Sequence, residues 1–145
     1  MTLQTILDAR WGDLLTQTSS FWTPPSIAWG YGDSDHFLSA RGYATTLVIS
    51  PSEFYLKFST KADAAPEHRL DALVRHELGH VLDYSTPAER LDRWAETRGV
   101  SLPSTRERRA DALCLAVWGT PLFYDDEDIQ TLRPGTTPRP SRLGL

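Results

Sequence analysis

The chain carries a single cysteine, Cys114, so no intrachain disulfide can form and cysteine usage gives no argument for an oxidising compartment. Its first residues, Met1-Thr2-Leu3-Gln4-Thr5-Ile6-Leu7-Asp8-Ala9-Arg10, lack a basic leader followed by an apolar run, so no secretory signal is expected. No stretch approaches the length of a transmembrane helix. A large charge of either sign is also missing. Fifteen Lys and Arg stand against nineteen Asp and Glu, a formal net charge of -4, which argues against a nucleic-acid partner held by bulk charge. These absences predict a cytoplasmic protein with no membrane partner. There is no internal repeat and no low-complexity block.

What is present suits one packed domain. The 145 residues are 40% hydrophobic and 23% charged, and five Trp, five Tyr and five Phe supply large core side chains. Leu3, Ile6, Leu7, Trp11, Leu14 and Leu15 recur at helical spacing, predicting an amphipathic helix over 3–17 that ends before Pro24-Pro25. Ile27, Trp29 and Tyr31 alternate as in a short strand, and Gly32-Asp33-Ser34-Asp35 reads as a turn. Tyr43 to Ile49, β-branched and aromatic, is the strongest strand signal. Ser50-Pro51-Ser52-Glu53 has the form of a helix start, predicting a short helix through Phe54 and Phe58. A helix is expected over 67–84. Thr86-Pro87-Ala88-Glu89 reads as a capping box opening a helix with Leu91, Trp94 and Ala95 inward, ended by Gly99. Ser104 is expected to cap a last helix through Trp118, stopped by Gly119 and Pro121. A single α+β domain over 1–133 follows, a small mixed sheet packed on helices, with a loose tail over 134–145 rich in Pro, Arg and Thr.

His76-Glu77-Leu78-Gly79-His80 is an HExxH motif. Histidines four apart on a helix stack on one face about a turn from each other, where both imidazoles can bind one zinc ion. The glutamate beside the first histidine projects next to the metal and can take a proton from zinc-bound water. At roughly 100° per residue, Leu70, Val74, Leu78 and Val81 share one broad face. His76, His80 and Asp83 lie nearly opposite, and Glu77 falls between. This predicts a dry side against the core and a polar side toward a cleft. Gly79 lowers helix propensity by about 1 kcal/mol relative to Ala, and would let another segment or a substrate come close.

A catalytic zinc usually has a third protein ligand, with water in the fourth place. The extended form HExxHxxGxxH is absent, since Asp83 and Thr86 stand where Gly and the third His are needed. Glu107 is the leading candidate, with Asp111 or Asp83 as alternatives. Glu107, Asp111, Cys114 and Trp118 fall on one helical stripe. Glu107 can reach the metal while Asp111, one turn on, accepts the other ring N–H of His76, fixing its tautomer. Ser104-Thr105-Arg106-Glu107 is also a capping box, in which the glutamate would simply bond back to the Ser104 backbone. Cys114, amid Ala110, Leu113 and Val117, reads as a buried hydrophobe.

HELGH followed by the helix Glu107-Arg108-Arg109-Ala110-Asp111 (E-x-x-A-D) resembles the gluzincin metallopeptidases, thermolysin-like in site layout. The short chain and the ending ERRADALCLAVWG are similar to small bacterial and phage HExxH proteins, whose corresponding helix reads roughly E-x-x-A-N/D-x-F-A; Leu113 and Cys114 here replace Phe-Ala. The resemblance covers about residues 67–84 and 104–121. It implies a minimal zincin-like fold, Zn2+ as cofactor, His76, His80 and Glu107 as ligands, Glu77 as the catalytic residue and Asp111 orienting His76. It further implies an edge strand beside the active-site helix, a role Tyr43 to Ile49 would fill, and an oxyanion-stabilising Tyr, His or Arg. Tyr84, Tyr55, Tyr43 and His68 are the candidates. The function expected is zinc-dependent hydrolysis of a peptide or protein. The alternatives are a zinc-binding interaction protein that no longer cuts and an amidase acting on cell-wall peptides.

Overall fold

A computed structural model describes residues 2–32, 40–44 and 53–120, with the backbone alone for 41–44. The elements are helix α1 (Leu3–Gln17), strands β1 (Ser26–Gly32), β2 (Ala40–Ala44) and β3 (Glu53–Ser59), and helices α2 (Glu67–Tyr84), α3 (Ala88–Thr97) and α4 (Arg106–Trp118). The expected α+β composition is therefore seen. Helix α1 and strand β1 lie where the hydrophobic spacing puts them. The expected turn at 32–35 lies mostly outside the described residues, and the 134–145 tail and the domain limit at 133 lie wholly outside them.

The three strands form one mixed sheet in the order β1-β3-β2, with β1 parallel and β2 antiparallel to β3. The central strand is a correction, because a short helix through Phe54 and Phe58 is expected there. A four-residue interval between phenylalanines satisfies a helix and a strand equally. Leu56 between them decides for period two: Phe54, Leu56 and Phe58 are all buried, while Glu53 and Lys57 are exposed. The strongest strand signal is seen in part. β2 is already extended at Ala40 and includes Tyr43 and Ala44, while 45–49 lie outside the described residues. β2 is an edge of the sheet and contacts α2.

The core forms where the inner face of β3 meets α1 and α2. Leu3, Ile6, Leu7 and Leu14 come from α1, and Leu70, Leu73, Val74, Leu78, Val81 and Leu82 from α2. Leu91, Leu113 and Val117 close it from α3 and α4. Full burial of one such side chain stabilises by about 1.5–3 kcal/mol. A two-pronged ion pair fixes α1 on α2: Arg10 donates from Nε to Asp71 Oδ1 at 2.7 Å and from Nη2 to Oδ2 at 2.9 Å.

Neither expected capping box is made. Thr86 is buried with its hydroxyl unpaired, and α3 starts from Pro87, whose carbonyl accepts the Leu91 amide at 3.0 Å. Helix α4 starts one residue later than expected, from Thr105, whose carbonyl accepts the Arg109 amide at 2.8 Å. The helix ends follow expectation: Gly99 and Gly119 sit in the left-handed region (φ 74° and 69°) just beyond α3 and α4. Among the described residues no helix is long and apolar enough to cross a membrane.

Assignment of residues 53–59 as a half-buried strand has a direct test. Leu56→Ala is expected to lower unfolding free energy by about 2–5 kcal/mol, and Lys57→Ala on the opposite face by no more than about 0.5 kcal/mol, as read by urea denaturation. A helix with Phe54 and Phe58 inward would turn Leu56 about 200° away from Phe54 and make its loss mild.

Candidate metal centre

Helix α2 is buried almost all round. Residues 72–79 are buried in an unbroken run, and the polar side of the helix faces α4. What admits α4 so closely is Gly79. A Cβ at that position would stand 2.8 Å from the Ala110 carbonyl oxygen and 3.2 Å from its Cα, backbone atoms that cannot swing aside. The two helices thus cross at Gly79 and Ala110. His76 and Glu107 each lie three residues before the crossing, and His80 and Asp111 one residue after it. The symmetry of spacing brings all four polar side chains to the same seam.

There they converge. His76 Nε2 lies 2.7 Å and His80 Nε2 3.2 Å from Glu107 Oε2. The imidazole rings stand edge to face, 4.7 Å between centroids. The three donor atoms lie within 4.8 Å of one another. Zinc bonds of about 2.0–2.1 Å in a tetrahedral site set donors about 3.3 Å apart, so for this N, N, O set to share one zinc the 2.7 Å contact would open and any pair near the 4.8 Å limit would close. Asp111 meets the opposite nitrogen of His76, Nδ1, through Oδ1 at 2.8 Å, with both side chains inaccessible. This arrangement commits Nε2 of His76 to the shared point and keeps Asp111 away from it. Glu107 occupies the second position of α4 rather than the third, because the helix begins from Thr105, and its carboxylate reaches the histidines. Glu77 is 3% exposed and close enough to His76 for its charge to act on the ring.

Protonation reflects the crowding of charge. Burial alone would depress the His76 pKa, but the hydrogen bonds to Asp111 and Glu107 and the charges of Glu77 and Asp111 outweigh it and raise it to about 9. Burial likewise acts to raise the Glu107 pKa, and its hydrogen bonds to His76 and His80 overcome this and hold it well below the usual carboxylate range. The metal-free site therefore keeps a proton between imidazole and carboxylate at neutral pH, in the role a cation would fill.

The remaining expected candidates separate cleanly. Asp83 is not at the convergence point. Its buried carboxylate accepts from Arg109 Nε at 2.9 Å and from Arg106 Nη1 at 2.8 Å, and Arg109 continues to Asp92 at 2.9 Å. Cys114 is inaccessible, and burial followed by the charge of Asp111 pushes its thiol pKa up, as befits a packed residue and not a ligand. Tyr84, one turn beyond His80, is half-exposed with its ring 6.0 Å from the His80 ring. The Tyr55 hydroxyl lies over Gly30 on the sheet, and His68 stands two turns before His76. Nothing is described of the Tyr43 side chain. Sequence spacing missed Arg106, whose guanidinium lies 4.5 Å from the Tyr84 ring centroid. The signal available was its place beside Glu107 at the start of α4.

No family model, no curated protein and no solved structure matches the chain, so the site is read from its own geometry.

Two outcomes are expected. Gly79→Ala drives a methyl group against the α4 backbone, lowering stability by about 1–3 kcal/mol and weakening zinc affinity about tenfold or more, as read by thermal melting of the metal-free protein and by zinc titration. Zinc uptake near neutral pH releases about one proton, because His76 titrates at about 9 in the metal-free form. Calorimetry in buffers of different ionisation enthalpy measures this release. The same raised pKa stabilises the metal-free fold fully below the unfolded histidine value, about 6.5, and that contribution is lost as pH rises through about 9.

Proposed function

We propose that the chain is a zinc-dependent metallopeptidase of the HExxH type, with His76, His80 and Glu107 as metal ligands and Glu77 as general base. The observation that carries this reading is the convergence of those three donor atoms within 4.8 Å, with Glu77 buried next to the first of them. A gluzincin-like site on a minimal zincin-like fold is the arrangement that accounts for it. Zinc held by the three side chains supplies a Lewis acid that lowers the pKa of water toward neutrality and draws charge from a carbonyl oxygen.

The chain's own residues do the rest. Glu77 takes the proton of the attacking water and returns it to the leaving nitrogen, acting as base and then as acid. Asp111 keeps His76 in the tautomer whose Nε2 is free for the metal. Of the four oxyanion candidates, Tyr84 has its ring 6.0 Å from that of His80, and its hydroxyl would supply the donor for charge that develops on the carbonyl oxygen. Among the described residues β2 is an edge strand in contact with α2, and its outer backbone groups are where an extended peptide can add as a further strand. These features favour a peptide or protein substrate.

The test is a comparison of wild type with Glu77→Gln across a proteome-derived peptide mixture, read by mass spectrometry of new termini. Zinc content is expected to stay at wild-type level in the variant, with cleavage reduced by at least about a hundredfold. Equal cleavage by both proteins would remove Glu77 from the mechanism. Absence of cleavage by zinc-loaded wild type would remove the peptidase reading.

A further inference from the structure

Resting on the peptidase reading above, we infer that Arg106 is a receptor for a carboxylate of the bound peptide, within about three residues of the bond held at the metal ligands. Arg106 opens α4, and its side chain is half-exposed. It is nonetheless held on two sides. One edge donates from Nη1 to Asp83 Oδ2 at 2.8 Å, and Asp83 is itself buried and clamped by Arg109. One face lies 4.5 Å from the Tyr84 ring centroid. A guanidinium fixed by a buried carboxylate and an aromatic face has lost much of the rotamer freedom that a free surface arginine gives up on binding.

The other edge is open. Among the described residues, Nε and Nη2 of Arg106 have no hydrogen-bond acceptor. Asp83 is shared with Arg109, whose second carboxylate partner is Asp92, so Asp83 engages only one edge of Arg106. The neighbouring acid, Glu107, is turned to the histidines. The result is a planar, permanently charged fork on a side chain 54% exposed, whose Nε and Nη2 N–H groups run parallel in the geometry that matches a carboxylate.

Its distance from the metal ligands sets the position it reads. From the His80 ring to the Tyr84 ring is 6.0 Å, and from that ring to the guanidinium carbon a further 4.5 Å. An extended chain advances about 3.3–3.6 Å per residue, and the two separations together set an upper limit, so a peptide whose scissile carbonyl lies at the ligands reaches Arg106 within about three residues. The carboxylate is either an acidic side chain or a free chain end, and the two are separable by experiment.

Peptide hydroxamates provide the test, because the hydroxamate fixes one end at the metal. Two series are used, with the hydroxamate at the N-terminal or the C-terminal end. Each carries Glu or Gln at the first, second or third residue, and a further N-terminal hydroxamate has Gln and a free C-terminal carboxylate. Binding to the zinc-loaded full chain is measured by calorimetry. In at least one series a carboxylate compound is expected to bind about tenfold more tightly than its neutral counterpart. Arg106→Gln is expected to abolish that preference while leaving affinity for the neutral compound unchanged, which also shows that the variant is folded. Arg106→Lys is expected to retain only part of it. Equal binding of charged and neutral compounds in both series, or a preference that survives Arg106→Gln, overturns the receptor while leaving the peptidase reading in place. Failure of every hydroxamate to bind the zinc-loaded chain overturns that reading and the receptor together.

Discussion

Two helices meet backbone to backbone at Gly79 and Ala110, and the position of each candidate ligand is counted from that contact. A side chain at 79 would hold the helices apart by roughly the width of a methyl group, and Glu107 would lose the reach that brings it to both imidazoles. The sheet and α1 serve this crossing from behind. Leu70, Val74, Leu78 and Val81 are buried against the apolar core, which fixes the rotation of α2 and directs His76 and His80 to α4. Hydrophobic burial thus determines which way the helix faces, and one glycine determines how near its partner comes.

Polar side chains then set the register along the seam. His76 meets Asp111, both histidines meet Glu107, and Asp83 meets Arg109 and Arg106. Buried charges are costly when unpaired, because the low-dielectric interior replaces water around them. Sliding α4 by one turn would strand the carboxylates of Asp83 and Asp111 and the guanidinium of Arg109 together. The pairs add modest net stability in themselves, and their effect is to penalise every alternative alignment of the two helices.

Much of this was legible in the residues. The HExxH spacing, the apolar stripe of α2 and the stripe carrying Glu107 and Asp111 describe two helix faces that need each other. Each signal extends over several turns, so local ambiguity does not erase it. The short features were harder to read. Residues 53–59 carry Phe54 and Phe58 at an interval common to both periods, and the proline and serines before them imitate a helix start. The burial that makes Leu56 decisive comes from α2 and α1, which are distant in sequence. The caps failed for a related reason. Thr86 is drawn into the interior and Ser104 stays outside its helix, because tertiary packing places the first turn by a residue more or less than local chemistry prefers. Asp83 shares the polar face with the histidines in projection, yet two arginines from another helix claim it.

Glu107 lies in the opening turn of α4, where backbone amides have no partners within the helix and their dipoles present partial positive charge. Its anionic form is favoured there for reasons independent of any cation. Opening turns are also the least cooperative part of a helix and the first to fray. The donor contributed from furthest along the chain is therefore carried by an opening turn whose hold on α2 comes from side chains, Arg106 and Arg109 on Asp83. A divalent ion bridging it to α2 would act as a further staple on that turn, tying the connection between α3 and α4 to the most buried helix among the described residues.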